Sequence, residues 1–182
     1  MGRNFINCVV YLSFCGILSN IIGEMLPRSK FKSEKQPYTL RDWEKDGDFY
    51  ERFNIRHWKD KIPDLSKIKR KMMPKKLKGK KDRSSIERLI QETCVAERVH
   101  RVLISAGFGC LILFPGKGGI FITIIWSLGQ IPYIIIQRYN RPRLKRVIKR
   151  LDSSTRSVDS VKSGSSISLT YEKNSQNREL MK

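Results

Sequence analysis

A histidine and two glutamates near the middle of the chain have the types and spacing that proton-transfer chemistry uses. Glu92, Glu97 and His100 stand in the stretch ETCVAERVH. On a helix Glu92 and His100 would share a face, and Glu97 would be a neighbour of His100. A histidine can act as a general base near neutral pH, with Glu97 orienting the ring and stabilising the imidazolium. These three are our candidate catalytic residues; the alternative is that His100 only contacts lipid headgroups, and His57 is a second candidate base.

Metal chemistry is not expected at these residues. The pair Glu97 and His100 is half of a di-iron-type Glu-x-x-His motif, but the second half is missing from the sequence. The chain has four cysteines, Cys8, Cys15, Cys94 and Cys110. They form no CxxC pair, so we interpret them as small buried apolar residues rather than as zinc ligands or a disulfide framework.

The apolar residues of the chain are concentrated in three runs. We expect the helices formed by these runs to hold the candidate residues in place. The runs cover residues 5–26, 102–114 and 120–136, which is the distribution of a membrane protein. The third run carries no charged residue and ends at Arg138. It is long enough to cross a bilayer as a helix, which satisfies every backbone polar group internally.

The second and third runs are predicted to form a membrane hairpin that turns at residues 115–119. Its second segment, Gly118–Gln137, is the stronger span, and Pro132 is expected to kink it. Residues 102–114 make a shorter helix, so either a full span or a tilted or re-entrant segment fits them.

The first run, within residues 1–26, is either a membrane anchor or a signal-like segment. No alanine occurs before Ala96, so the small residues of an A-x-A-like cleavage site are missing. We therefore favour an uncleaved anchor.

The charge of the chain indicates an anionic partner. Its 182 residues include 37 basic and 17 acidic ones, a net charge of +20, which is typical of proteins that bind nucleic acid or anionic membranes. The hydrophobic runs favour membrane lipids, and a nucleic-acid partner is not expected because no binding fold or aromatic platform is recognised. The positive-inside rule places the main loop and the C-terminus in the cytoplasm, in an integral protein of the cell membrane.

The loop between anchor and hairpin is predicted to lie at the membrane surface. Residues 43–62 carry aromatic and aliphatic residues at helical spacing, and this helix is either packed under the membrane or a lid or lipid-binding surface. Residues 67–83 form a basic linker. A capping box at Ser84 and Glu87 begins a helix that we expect to continue into the hairpin.

We therefore predict a mainly α fold: a small integral membrane protein with an N-terminal anchor, a membrane hairpin and cytoplasmic interfacial helices. The predicted segments are the anchor or signal-like segment 1–26, the interfacial helices and basic linker 27–101, the hairpin 102–137, a juxtamembrane basic amphipathic helix 138–151 and a disordered tail 152–182.

Four groups of residues, in order along the chain, resemble a known family. They are LPRSKF at 26–31, WEKDGDFY at 43–50 with RHWKDKIPD at 56–64, ETCVAERVH at 92–100 and IPYIIIQRYNRPRL at 131–144. Together they resemble the glycosyl-4,4'-diaponeurosporenoate acyltransferases, over roughly residues 26 to 150.

The resemblance implies membrane-bound acyl transfer, in which a fatty acid is esterified onto the glucose 6-hydroxyl of a glycosylated C30 carotenoid acid. It implies no bound cofactor, with acyl-CoA or another acyl donor as co-substrate. The expected partners are a lipid-linked sugar acceptor, the fatty acyl donor and anionic membrane lipids. His100 would then be the base that deprotonates the sugar hydroxyl as it attacks the acyl group.

The same motifs supply candidate substrate-binding residues. They are Trp58, Lys59, Asp60, Arg138, Tyr139, Asn140, Arg141 and Arg143. Guanidinium groups suit phosphate, so the three arginines could bind an acyl-CoA donor or anionic lipid. Their alternative role is the ordinary positive flank of a membrane helix.

A rival interpretation is a non-enzymatic membrane protein, either an assembly factor or an adaptor that binds anionic lipid through its basic faces. The composition permits it. The residues from Glu92 to His100 discriminate between the two, because an adaptor does not need them.

Overall fold

The computed structural model describes residues 2–59, 61 and 83–179, with side chains up to residue 153. These residues form helices, turns and short connections, which confirms the mainly α prediction. The chain divides into two compact units, Met1–Lys145 and Arg146–Lys182. The predicted basic linker lies almost wholly outside the described residues.

Long helices dominate the described part of the chain. The α-helices are α1 (Gly2–Met25), α2 (Ile55–Trp58), α3 (Arg83–Gly107), α4 (Gly109–Leu113) and α5 (Lys117–Glu179). Two 3-10 helices, Arg28–Lys30 and Asp42–Phe53, lie between α1 and α2. The backbone of α5 continues through residues 152–179, where the sequence predicted a disordered tail.

Two of these helices are long and apolar enough to cross a membrane. They are α1 and the part of α5 from Lys117 to Ser153. Only 11% and 22% of their most apolar windows are buried, whereas a core helix of a soluble protein would be mostly buried. Large side chains such as Phe14 and Ile124 face outward, and hydrocarbon is the solvent that suits such a surface. The protein is therefore assigned to a membrane.

The predicted hairpin is present and its two arms are antiparallel. The Thr123 hydroxyl donates to the carbonyl of Gly107 at 3.0 Å, and the Trp126 indole N–H donates to the carbonyl of Leu103 at 2.8 Å. A Cβ on Gly107 would lie 2.8 Å from the Trp126 ring. The arms can approach this closely only because residue 107 has no side chain. Helix α3 runs unbroken from the polar segment into the hairpin, as expected.

The turn of the hairpin is shorter than we predicted. Helix α4 ends at Leu113 and α5 begins at Lys117, so residues 117–119 form the first turn of a helix instead of a loop. A Cβ on Gly119 would lie 2.1 Å from the carbonyl oxygen of Phe114. Glycine at position 119 lets the start of α5 approach the backbone at Phe114. This close contact depends on the fold and could not be predicted from a Gly-rich sequence.

Helix α1 is held against the hairpin by polar contacts as well as by packing. The Tyr11 hydroxyl donates to the carbonyl of Ala106 at 3.0 Å, and the buried thiol of Cys8 faces the carbonyl of Cys110 at 3.9 Å. Arg28 then closes the C-terminal end of α1, donating to the carbonyls of Gly23, Glu24 and Leu26 at 2.8, 2.8 and 2.6 Å. All four cysteines are free; Cys8, Cys94 and Cys110 are buried as predicted, whereas Cys15 is only half-buried.

The segment predicted as one helix over residues 43–62 is instead kinked and divided. Lys45, Asp46 and Gly47 have positive φ angles of 45°, 53° and 89°, which interrupt the 3-10 helix Asp42–Phe53. Asn54, with a φ of 53°, then separates this helix from α2. The pattern of apolar spacing could not reveal these left-handed residues. The end of the predicted helix lies outside the described residues.

This kinked segment packs on α5 through an aromatic core. Tyr50 and Ile55 are buried with Ile136 and Tyr139. Phe53, which we expected on the same apolar face, is 55% exposed, because the kink turns it away from α5.

Gly47 in this segment is expected to be sensitive to substitution. Its φ of 89° is left-handed, and a Cβ there would lie 3.1 Å from Cγ of Pro142. We expect Gly47→Ala to lower the free energy of unfolding by about 2 kcal/mol. Thermal unfolding in detergent would measure this.

The matched control is Gly129→Ala. Gly129 lies within α5, and a Cβ there meets nothing within 4 Å. This variant should be neutral or up to about 1 kcal/mol more stable. Equal melting temperatures for the two variants would contradict the assigned docking of residue 47 on α5.

Candidate active site

A buried cluster of charges ties the kinked segment to the hairpin. Glu44 and Glu97 have no exposed surface, and Arg138 links them. Its Nε and Nη2 donate to the carboxylate of Glu44, with Nε at 2.6 Å from Oε1. Its Nη1 donates to Oε1 of Glu97 at 2.8 Å. One guanidinium therefore bridges two carboxylates from different parts of the chain.

Arg141 holds the other side of Glu97. Its Nη2 donates to Oε2 of Glu97 at 2.5 Å, and its Nε donates to the Thr93 hydroxyl at 3.0 Å. Its Nη1 donates to the carbonyl of Tyr38 at 2.5 Å. With 1% of its surface exposed, Arg141 is a structural tie between residue 38, α3 and α5, and it is not positioned to bind the phosphates of a substrate.

Arg138, like Arg141, uses its guanidinium group for contacts within the protein. All three of its guanidinium nitrogens donate to protein oxygens, including the carbonyls of Pro37 and Thr39 at 3.3 and 3.2 Å. Charges removed from water are tolerated only when they are paired and hydrogen-bonded, and this network meets both conditions. The phosphate-binding role that we expected for Arg138 and Arg141 therefore does not fit their surroundings.

The cluster also sets the ionisation of its members. Burial by itself raises the pKa of Glu44, but hydrogen bonds from Arg138, the backbone N–H of Arg41 and the Tyr50 hydroxyl outweigh it and hold that pKa below the ordinary value. Burial and the bond to Glu44 raise the pKa of Tyr50. Glu44 is therefore an anion and Tyr50 a neutral donor at neutral pH.

Acid is expected to weaken this cluster. Since the folded pKa of Glu44 lies below its ordinary value of 4.5, its contribution to stability is complete above that value and is lost as the pH falls through the folded pKa. At pH 7 we expect Glu44→Gln to be less stable than the wild type by about 1 to 3 kcal/mol. The difference should shrink as the pH is lowered from 7 to below 4.5, because the carboxylate takes up its proton at its lowered folded pKa.

Thermal unfolding of both proteins across that pH range would measure the difference. A difference that stays constant on acidification would show that the charge of Glu44 does not stabilise the fold.

His100 lies outside this cluster. Its Nδ1 is 2.8 Å from Oε1 of Gln130 across the hairpin. Its ring stacks on that of Tyr133, with centroids 4.6 Å apart and planes 12° from parallel. The imidazole is half-buried, whereas Gln130 is buried. The hairpin therefore holds the histidine ring in a defined orientation.

The two glutamates that we grouped with His100 have other partners. Glu97 is occupied by Arg138, Arg141 and also Arg101, whose Nη2 donates at 2.6 Å. Glu92 forms a two-pronged ion pair with Arg28, with bonds of 2.9 and 3.2 Å. Glu97 and His100 are neighbours on α3, as their spacing predicted. The carboxylate of Glu97 nevertheless faces the arginines, because their buried guanidinium groups require a negatively charged partner.

The remaining substrate-binding candidates lie around the ring of Tyr139. Arg143 stacks on this ring at 3.4 Å and donates to Glu51 at 2.5 Å. Lys59 lies over the same ring at 5.6 Å. Tyr139 itself is buried, so the two cations are the parts of this group nearest to solvent.

Three further candidates complete the set. The Trp58 indole N–H donates to the carbonyl of Phe53 at 2.8 Å. Asn140 is half-buried, and Asp60 lies outside the described residues. The structure therefore groups Lys59 and Arg143 around the ring of Tyr139.

Sequence reasoning missed Glu44, Gln130 and Tyr133. Gln130 carried a usable signal: a polar side chain within an apolar run needs a partner. The hairpin register supplies that partner, because residues 107, 103 and 100 face 123, 126 and 130 in turn. Glu44 gave no comparable signal, since it stands in a segment rich in charged residues.

Comparison with known proteins gives the family. The model of the glycosyl-4,4'-diaponeurosporenoate acyltransferase family matches residues 28–150. A protein of that name from Staphylococcus aureus strain MRSA252 is 31% identical over 133 residues, which is 71% of this chain and 79% of the relative. Those from strains bovine RF122 / ET3-1 and N315 are 30% identical with the same coverage. No solved structure gives a significant match.

The matched region begins at Arg28, the residue that closes α1, and contains the buried cluster, His100 and Gln130. It spans more than half of the chain, and the relatives are covered over most of their length. The chain therefore belongs to the glycosyl-4,4'-diaponeurosporenoate acyltransferase family and is an acyltransferase.

Proposed function

We propose that this enzyme esterifies a fatty acyl group onto the sugar hydroxyl of a glycosylated carotenoid or a related glycolipid, with His100 as the general base. Family membership supports the acceptor class. The observation that carries the mechanism is the His100 ring, fixed by Gln130 and Tyr133 at the end of α3 that enters the membrane hairpin.

The reaction needs two proton transfers, one from the attacking sugar hydroxyl and one to the leaving group of the acyl donor. The ring nitrogen Nε2 takes the proton of the sugar hydroxyl as the oxygen attacks the acyl carbonyl and forms the new C–O bond. When the donor is a thioester, the C–S bond then breaks, and the thiol leaves with the proton returned by the imidazolium. A histidine suits both roles because its ordinary pKa is close to neutral.

The position of His100 suits a lipid-linked acceptor. It precedes the hydrophobic run that begins at Val102 by two residues, a depth at which a sugar headgroup would lie while its lipid remains in the bilayer. The excess of Lys and Arg in the main loop favours a cytoplasmic site in the cell membrane. An acyl-CoA donor would approach from that side.

The cations beside Tyr139 are our candidates for binding an anionic donor. Lys59 and Arg143 both contact the Tyr139 ring, and Trp58 and Asn140 neighbour them in the sequence. Arg143 also pairs with Glu51, so a donor phosphate would compete with that carboxylate.

The direct test uses membranes that contain the protein, a glycosylated C30 carotenoid acid and a fatty acyl-CoA. The proposal predicts a product heavier than the acceptor by one acyl group, detected by mass spectrometry and dependent on the protein. If none forms while a relative is active in parallel, the carotenoid acceptor is wrong. Repeating the assay with total membrane lipid then separates another glycolipid acceptor from the non-enzymatic adaptor.

A further inference from the structure

The contact of Gln130 with His100 can fix the position of the imidazole proton as well as the orientation of the ring. We propose that Gln130 is a positioning residue: it holds the proton of His100 on Nδ1, so that Nε2 is the basic nitrogen that meets the acceptor hydroxyl. This inference rests on the proposed function, because it presupposes that His100 is the base.

The geometry of the pair carries the argument. The Nδ1 to Oε1 distance of 2.8 Å is that of a hydrogen bond. An amide oxygen only accepts, so the ring nitrogen facing it must be the donor. In a neutral imidazole one nitrogen carries the proton and the other accepts; a donor at Nδ1 therefore makes Nε2 the base.

The surroundings of Gln130 explain why an amide serves here. Gln130 is 8% exposed and stands in an apolar run, where an unpaired amide would cost free energy and so favours its bond to the histidine. An amide stays neutral at every working pH. It can therefore fix the tautomer without adding a charge beside the base.

Tyr133 completes the clamp from the same helix. It lies one turn after Gln130 on α5, and its ring covers one face of the imidazole with the planes 12° from parallel. The hydrogen bond fixes rotation within the ring plane, and the stack fixes the plane itself. Together they leave the ring one orientation.

The test compares the wild type with Gln130→Leu, which keeps the approximate size and removes the acceptor. Leu128→Ala, at a position that is 57% exposed on the same helix, controls for substitution in α5. Activity is measured per folded protein as ester formed from the glycosylated C30 carotenoid acid and acyl-CoA. We expect kcat of Gln130→Leu to fall about 10- to 100-fold with little change in KM, because the base is misoriented more often.

A second readout does not depend on activity. The chain has two histidines, so a His57→Asn background leaves His100 as the single imidazole. Nitrogen-15 NMR of the ring in detergent micelles then reports its tautomer. We expect the Nδ1–H form in this background, and a smaller share of it after Gln130→Leu is added.

The outcomes separate the positioning role from the proposed function. Ester formation with an undiminished kcat in Gln130→Leu, or an Nε2–H tautomer in the His57→Asn protein, would overturn the positioning role alone. Absence of any ester from the wild type would overturn the proposed function and this role with it. A variant that only melts earlier, with its kcat and tautomer unchanged, would show that Gln130 serves packing.

Discussion

Replacing Glu97 by alanine is expected to destabilise the protein by about 3 to 5 kcal/mol, the usual cost of leaving buried charges without their partner. Glu97 has no exposed surface and accepts hydrogen bonds from Arg138 and Arg141, which are themselves buried. Alanine would leave the two arginines without their shared carboxylate and would also open a small cavity. For a chain of this size the melting temperature should fall by about 10 °C.

Arg101→Ala provides the matched control. Arg101 contacts the same carboxylate, but its side chain is 37% exposed. Its loss should therefore cost less than about 1 kcal/mol. Thermal unfolding in detergent measures both variants, and a Glu97→Ala protein as stable as the wild type would contradict the assigned role of the buried cluster.

Replacing His100 by alanine is expected to abolish most of the activity while leaving the fold intact. General-base catalysis contributes about 10²- to 10⁴-fold to a rate, and alanine has no group that can take up the proton. The stability cost should be small, about 1 kcal/mol, because the ring is half-buried and its loss removes one stack and one hydrogen bond. Ester formation per folded protein is the measurement.

The second histidine decides whether the base is assigned correctly. His57 lies on α2 and is exposed, which suits a solvated side chain. If His57→Ala loses the activity and His100→Ala keeps it, the assignment of the base is wrong.

The long helices were predictable because their signals are local. The apolar run before Arg138 and the run after Arg3 needed only their length and lack of charge to predict α1 and α5. The spacing of apolar residues after Ser84 was likewise sufficient for α3. Each of these patterns is written within a single element, so no tertiary contact is needed to interpret it.

The kinked segment and the turn of the hairpin were not predictable in this way. Lys45 and Asp46 adopt left-handed conformations that non-glycine residues seldom occupy. Their environment imposes this, because Glu44 must reach Arg138 while Gly47 passes close to Pro142. Contacts between residues this far apart in sequence leave no periodic signal.

The side-chain contacts of the candidate site could not be predicted from the sequence either. Sequence spacing correctly made Glu97 a helical neighbour of His100, but it could not show that Arg138 and Arg141 compete for the carboxylate. Gln130 is recognisable in the sequence as a polar residue in an apolar run, but the hairpin register that brings it to His100 is not. The residue types were therefore enough to suggest candidate residues, but the partners of these residues are determined by the fold.

The contacts of Glu97 and His100 give these two of the three predicted catalytic residues different roles. Glu97 stabilises the junction between the kinked segment, α3 and α5 through its arginines. His100, held by Gln130 and Tyr133, is the residue for which we propose the proton transfer. We therefore expect the stability of the fold to depend on Glu97 and the chemistry to depend on His100.

The most direct test measures stability and ester formation together in wild type, His100→Ala and Glu97→Gln, using the glycosylated C30 carotenoid acid and acyl-CoA at a temperature where all three are folded. Glu97→Gln keeps the shape of the side chain and removes its charge. We expect His100→Ala to melt within a few degrees of the wild type yet to form little ester. Glu97→Gln should melt clearly earlier yet retain most of its turnover per folded molecule. The reverse pattern, with an active His100→Ala and a stable but inactive Glu97→Gln, would contradict it.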